Sequence, residues 1–100
     1  MPKKTRPYTA DEVQARVLNH VRELVDYWQH VDRPTEQERM NGLAFSILVM
    51  LDGGTCGLPK FTVSPDPHPD DKTFHEQQGE NYYEPCDIAG SLHEAFYRRP

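Results

Sequence analysis

Residues 40–51, MNGLAFSILVML, are the most apolar stretch of a 100-residue chain whose mean hydropathy is −0.82, and they constrain the fold more than any other segment. A start signal precedes them: Thr35 with Glu38 three residues on, and acidic residues in the first turn, where the helix dipole favours negative charge. The pattern predicts a helix over Glu36–Leu51. Met40, Leu43, Ala44, Ile47, Leu48 and Leu51 form one face, and Phe45, Val49 and Met50 carry the apolar surface most of the way round. Such a helix is buried on several sides or lies at an interface. A buried strand over 43–51 is the competing reading, and the unbroken pattern from a capped start favours the helix.

A second capping-box spacing, Thr9 with Glu12, opens a run in which Val13, Val17, Val21, Leu24, Val25 and Trp28 recur at steps of three and four. This predicts an amphipathic helix over Ala10–His30, ended before Pro34, whose ring disfavours helical geometry in the preceding residue. The expected core is Leu43, Ile47, Leu48 and Leu51 packed on Val17, Val21 and Trp28. Phe45 and Val49 project from the other flank, beside Asn41 and Gly42. Either a second copy of the chain or Phe61, Phe74 or Tyr82 is then needed to cover them.

From residue 52 to 85 the signals change to Gly, Pro and Asp, a length that compact domains seldom leave without structure of its own. KFTV (60–63) has the pattern of a short strand, with ENYYEP (80–85) as its candidate partner. DDKTFHEQQG reads as a short helix capped by Asp70 or Asp71 and closed by Gly79. Asp87 is the expected N-cap of a last helix with Ile88, Leu92, Ala95 and Phe96 as its stripe and Arg98 and Arg99 at its end. The expected fold class is therefore mainly α: one domain of three principal helices, with a Pro/Gly-rich structured excursion between the second and third. Residues 1–8 are read as a flexible basic N-terminus.

Charge and length narrow the function. Net charge is −5, with −6 concentrated over residues 52–87, and an acidic surface repels a phosphate backbone, which argues against nucleic acid. No apolar run approaches the roughly 18–20 residues that span a bilayer, and no apolar segment follows the N-terminal charges, so a cytoplasmic protein without membrane contact is expected. Cys56 and Cys86, without a secretory signal, are expected as free thiols.

LDGGTCGLP (51–59) invites comparison with a phosphate loop, but its glycines follow a helix instead of opening one, and the lysine spacing fails. Gly53 and Gly54 are read as a left-handed helix end. In DPHPDDKTFHE an extended chain puts Asp66, His68 and Asp70 on one side, with His75 and Glu76 able to fold back toward them. Asp66, His68, Asp70 and His75 are the candidate ligands of a divalent transition metal, and a solvated acidic loop is the competing reading. HEQQG and HEAFY begin like the metalloprotease motif and lack its second histidine. Cys56 with a histidine is a nominal nucleophile and base pair without a defining spacing. His20 and His93 read as ordinary packing or surface residues.

ERMNGLAFSILVMLDGG and IAGSLHEAFY resemble segments of small hypothetical proteins encoded in bacterial and phage genomes. The resemblance covers about a quarter of the chain and implies an accessory protein, with no activity and no site residues attached. Two functional expectations follow. One is a small acidic interaction protein that contacts a protein partner or itself, as a homodimer through helix 36–51. The other is a metal-binding protein or metal-dependent hydrolase centred on residues 66–76.

Overall fold

Both capped starts form helices with the expected bounds in the computed structural model, which describes residues 4–32 and 35–98. Lys3, the Pro34 stop and Arg99 lie outside the described residues. In α1, Ala10–His30, the Thr9 hydroxyl accepts from the Glu12 amide at 3.2 Å, while the Glu12 carboxylate accepts from the Thr9 amide at 2.9 Å. The same carboxylate takes both terminal nitrogens of Arg6, at 2.7 and 3.0 Å. In α2, Glu36–Leu51, the Thr35 hydroxyl accepts from the Glu38 amide at 3.1 Å. The end of α2 is a Schellman turn: Gly53 donates to Met50 O and Gly54 to Val49 O, with φ of +91° at Gly53, a conformation that a Cβ disfavours. α3 (Asp71–Gln77) and α4 (Leu92–Phe96) complete a mainly helical chain, with just over half of the described residues in helices.

α1 and α2 form a hairpin whose closest approach is set by small residues. The Trp28 ring lies over Gly42, where even a Cβ would come within 2.4 Å of it, and its Nε1 donates to the Ser46 hydroxyl at 3.0 Å. Gly42, Ser46 and Met50 form one row at four-residue steps. Gly42 and Met50, the latter 2% exposed, are the buried residues among those described. The expected core therefore needs correction. Leu43, Ile47, Leu48 and Leu51 are only partly buried, because α1 seats where glycine and serine let the backbones approach and the large side chains flank the contact.

Within the chain, Phe45 meets the last helix, which is not among its expected covers. α4 packs on α2 there, placing the His93 and Tyr97 rings 5.7 and 5.5 Å from the Phe45 ring. The space above Gly42 is filled by the Trp28 ring.

The expected strands are absent among the described residues. Ile88 donates to Val63 O at 2.8 Å, so residues 60–63 meet 86–88 instead of 80–85, and side chains intercept the rest of the ladder. The Asp87 carboxylate takes the Val63 amide, the Ser64 hydroxyl takes the Cys86 amide, and Pro65 has no N–H to offer. Thus engaged, Asp87 does not cap the last helix, which starts four residues later than its N-capping would place it. Asp70 and Asp71 do not cap α3 either: Asp70 makes no side-chain cap bond, and Asp71 turns back to the His68 amide at 3.1 Å.

The molecule is a thin plate, 55 × 50 × 19 Å, with a radius of gyration of 18.3 Å. A compact chain of this length has about 13 Å. Its accessible surface of 8388 Å² compares with roughly 5,800 Å² expected from the mass scaling of folded monomers. α3 packs on none of the other three helices. No helix of the described residues is long and apolar enough to cross a membrane.

Candidate interaction surface

α1 has 21 residues and none of them is buried, although its apolar stripe is continuous. At 3.6 residues per turn, Leu18, Val21, Val25 and Trp28 recur at steps of three and four along one side of α1, and Met40, Leu43 and Ile47 do the same on α2. Between the two rows runs a groove of about 480 Å³, lined by Val25, Trp28 and Gln29 of α1 and Glu36, Arg39, Met40 and Leu43 of α2. Leu18 is 44% exposed, Val25 46% and Met40 62%. The other side of the hairpin is occupied: Arg16 donates to Gly57 O at 3.1 Å, drawing the 56–58 loop against α1, and Phe45 meets α4. One face of the hairpin is thus covered by its own chain and the other is an apolar groove rimmed by one charge of each sign.

Asp52 holds that covered face together. It follows the last residue of α2, and its side chain, 1% exposed, reaches across to the start of α4. One oxygen accepts from the Gly90 amide, and the other from the His93 amide at 2.8 Å and from His93 Nδ1. An ionised carboxylate only accepts, so Nδ1 carries the proton. Ser91 occupies the N-cap position of α4 and makes no side-chain cap bond, so the capping carboxylate comes from another helix. Burial pushes the Asp52 carboxyl up, but the bonds from His93 and Gly90, with the His93 charge, outweigh it and hold the pKa below the usual carboxylate range. Reading the sequence by local patterns misses this pair. The available signal is a carboxylate directly after a helix, where the dipole disfavours negative charge and only a specific partner compensates.

Asp87 makes a second tie. Its carboxylate binds Lys60 Nζ at 2.9 Å and the Val63 and Ala89 amides at 3.0 Å each. The Lys60 bond, followed by the Ala89 and Val63 amides, brings its pKa to about 2. A carboxyl lowered by folding contributes stability that is complete above its unfolded pKa, near 3.9, and is lost as pH falls through the folded value. Side-chain NMR titration should therefore place the Asp87 midpoint near 2, and Asp87→Asn should flatten the loss of stability between pH 4 and 2. A midpoint near 4 would remove the tie.

Of the candidate metal ligands, the structure brings His68 and Asp70 together, with Nδ1 and a carboxylate oxygen 3.7 Å apart; His68 Nδ1 also accepts from the Asp70 amide at 3.1 Å. The His75 ring faces Glu80 at 3.8 Å. Among the described residues no three His, Cys, Asp or Glu side chains gather as a metal-holding group, so Asp66, His68, Asp70 and His75 do not converge. Cys56 and Cys86 are free and exposed. Cys56 and His20 share a shallow cleft of about 280 Å³ with Arg16 and Asn19. No known protein family, curated protein or solved structure matches this chain.

Proposed function

We propose that this is a small acidic accessory protein that acts by protein–protein contact through the open α1–α2 face. The observation that carries the reading is a 21-residue amphipathic helix with no buried residue, beside a groove whose floor is Val25, Trp28, Met40 and Leu43. Exposed apolar side chains gathered in one groove and rimmed by polar groups are the kind of surface that interaction sites present. Paired three- and four-step rows are the form that accepts amphipathic helices, whose anchors repeat with the same spacing.

A photo-crosslinking amino acid at position 25 or 40, introduced in the cells that make the protein, tests it. Discrete adducts of defined mass are expected from both positions, and none from position 72 on α3. The same diffuse background from all three would overturn the proposal.

A further inference from the structure

We infer that the cavity between Trp28 and Tyr97 is a binding site for a trimethylammonium group. It opens beside the contact of Trp28 with Gly42, has a volume of about 270 Å³, and is lined by Trp28 of α1, Glu38, Asn41 and Gly42 of α2, and Tyr97 at the end of α4. Trp28 is shared with the open groove, and the other lining residues are not. The inference stands whether or not the contact reading above holds.

Three segments build the cavity. Glu38, Asn41 and Gly42 are spaced three and four residues apart, so they share one side of α2. Tyr97 reaches them because α4 is seated on Phe45, with the Tyr97 ring 5.5 Å from the Phe45 ring and 4.8 Å from that of Phe96. Trp28 is held by its bond to Ser46 and by the edge-on Tyr27 ring at 5.1 Å. Both rings are thus in place before a ligand arrives, which removes part of the cost of ordering them.

The lining selects the charge of the ligand and its form. Aromatic rings attract cations, tryptophan most strongly. The one charged group in the lining is the Glu38 carboxylate, which forms no ion pair among the described residues. A primary ammonium or a guanidinium brings three to five N–H donors, and one carboxylate with one amide oxygen is a poor match for them against two rings. A trimethylammonium group has no donor to satisfy, so its burial between rings leaves nothing unpaired. The volume is just under the roughly 300–1,000 Å³ of sites for drug-sized ligands, which suits a head group.

The single tryptophan reports on the site directly. Titration of the full chain with tetramethylammonium, choline and Nε-trimethyllysine at fixed ionic strength, followed by Trp28 fluorescence, should saturate with dissociation constants of about 1–10 mM. Whichever of choline and trimethyllysine binds more tightly identifies the source of the group. The neutral tert-butyl analogue of choline, with carbon in place of nitrogen, should bind about 10-fold more weakly or less, because it lacks the charge. Tyr97→Leu keeps an apolar side chain on Phe45 and removes the ring, and it should weaken choline binding by about 5–30-fold. Tyr97→Phe keeps the ring and should restore the affinity. Glu38→Gln, at an exposed position, should weaken binding by about 3–10-fold through loss of the charge. The inference is overturned if no cation saturates the signal by about 100 mM, if the neutral analogue binds as tightly as choline, or if Tyr97→Leu leaves the affinity unchanged.

Discussion

Gly42→Ala should destabilise the protein by about 1–3 kcal/mol, the range of overpacked sites, although alanine in a helix interior is ordinarily worth about 1 kcal/mol over glycine. The reversal of sign comes from Trp28. A Cβ at position 42 would lie 2.4 Å from two indole carbons and 2.7 Å from a third, and it would meet a rigid ring, not the end of a flexible chain. The ring cannot simply swing aside, because its Nε1 is bonded to the Ser46 hydroxyl. α1 would have to move away from α2 as a unit. Denaturant unfolding followed by the fluorescence of the single tryptophan measures the loss. In a Trp28→Ala background the same substitution should become neutral or stabilising by about 1 kcal/mol, since only the intrinsic helix preference remains. A stabilising Gly42→Ala in the wild-type background would mean that the helices do not meet there.

Asp52→Ala should lower the melting temperature by roughly 5–10 °C, a large shift for a domain of this size. The substitution leaves the Gly90 and His93 amides and the His93 ring without their acceptor, and it releases α4 from Phe45. Ser91→Ala should be close to neutral, although Ser91 holds the N-cap position, because its side chain makes no cap bond. Equal effects from the two variants would contradict a cap supplied from α2. The acid limb carries the same signature. With a pKa lowered in the folded state, Asp52 contributes stability that is complete above about pH 4 and is lost as pH falls through the folded value. Asp52→Asn, compared by thermal unfolding across that range, should show a shallower decline than the wild type.

The bounds of α1 and α2 were legible because their causes are local: Thr9 and Thr35 with glutamates three residues on, side chains at helical steps, and glycines after Leu51. The start of the last helix has a cause distant in the chain. Asp87 has the chemistry of an N-cap, and nothing near it in the chain announces that Lys60 and Val63 will engage its carboxylate. Of the candidate metal ligands, the close pair His68 and Asp70 is two residues apart, whereas joining Asp66 and His75 to it required a fold-back that no residue pattern specifies.

What the sequence by itself determined is the pair of long helices, where they start and stop, and the apolar stripes they carry, since capping and helical period depend on neighbours within one turn. What only the tertiary structure decided is which stripe is used. Glycine at 42 and serine at 46 draw Trp28 into α2, and the Asp52 carboxylate, 41 residues away from His93, brings α4 onto Phe45. Those contacts cover one side of the hairpin and leave Val25, Met40 and Leu43 on the other. Periodicity fixes which residues share a face, but the neighbour that face meets is selected by steric fit and hydrogen-bond complementarity between segments distant in the chain.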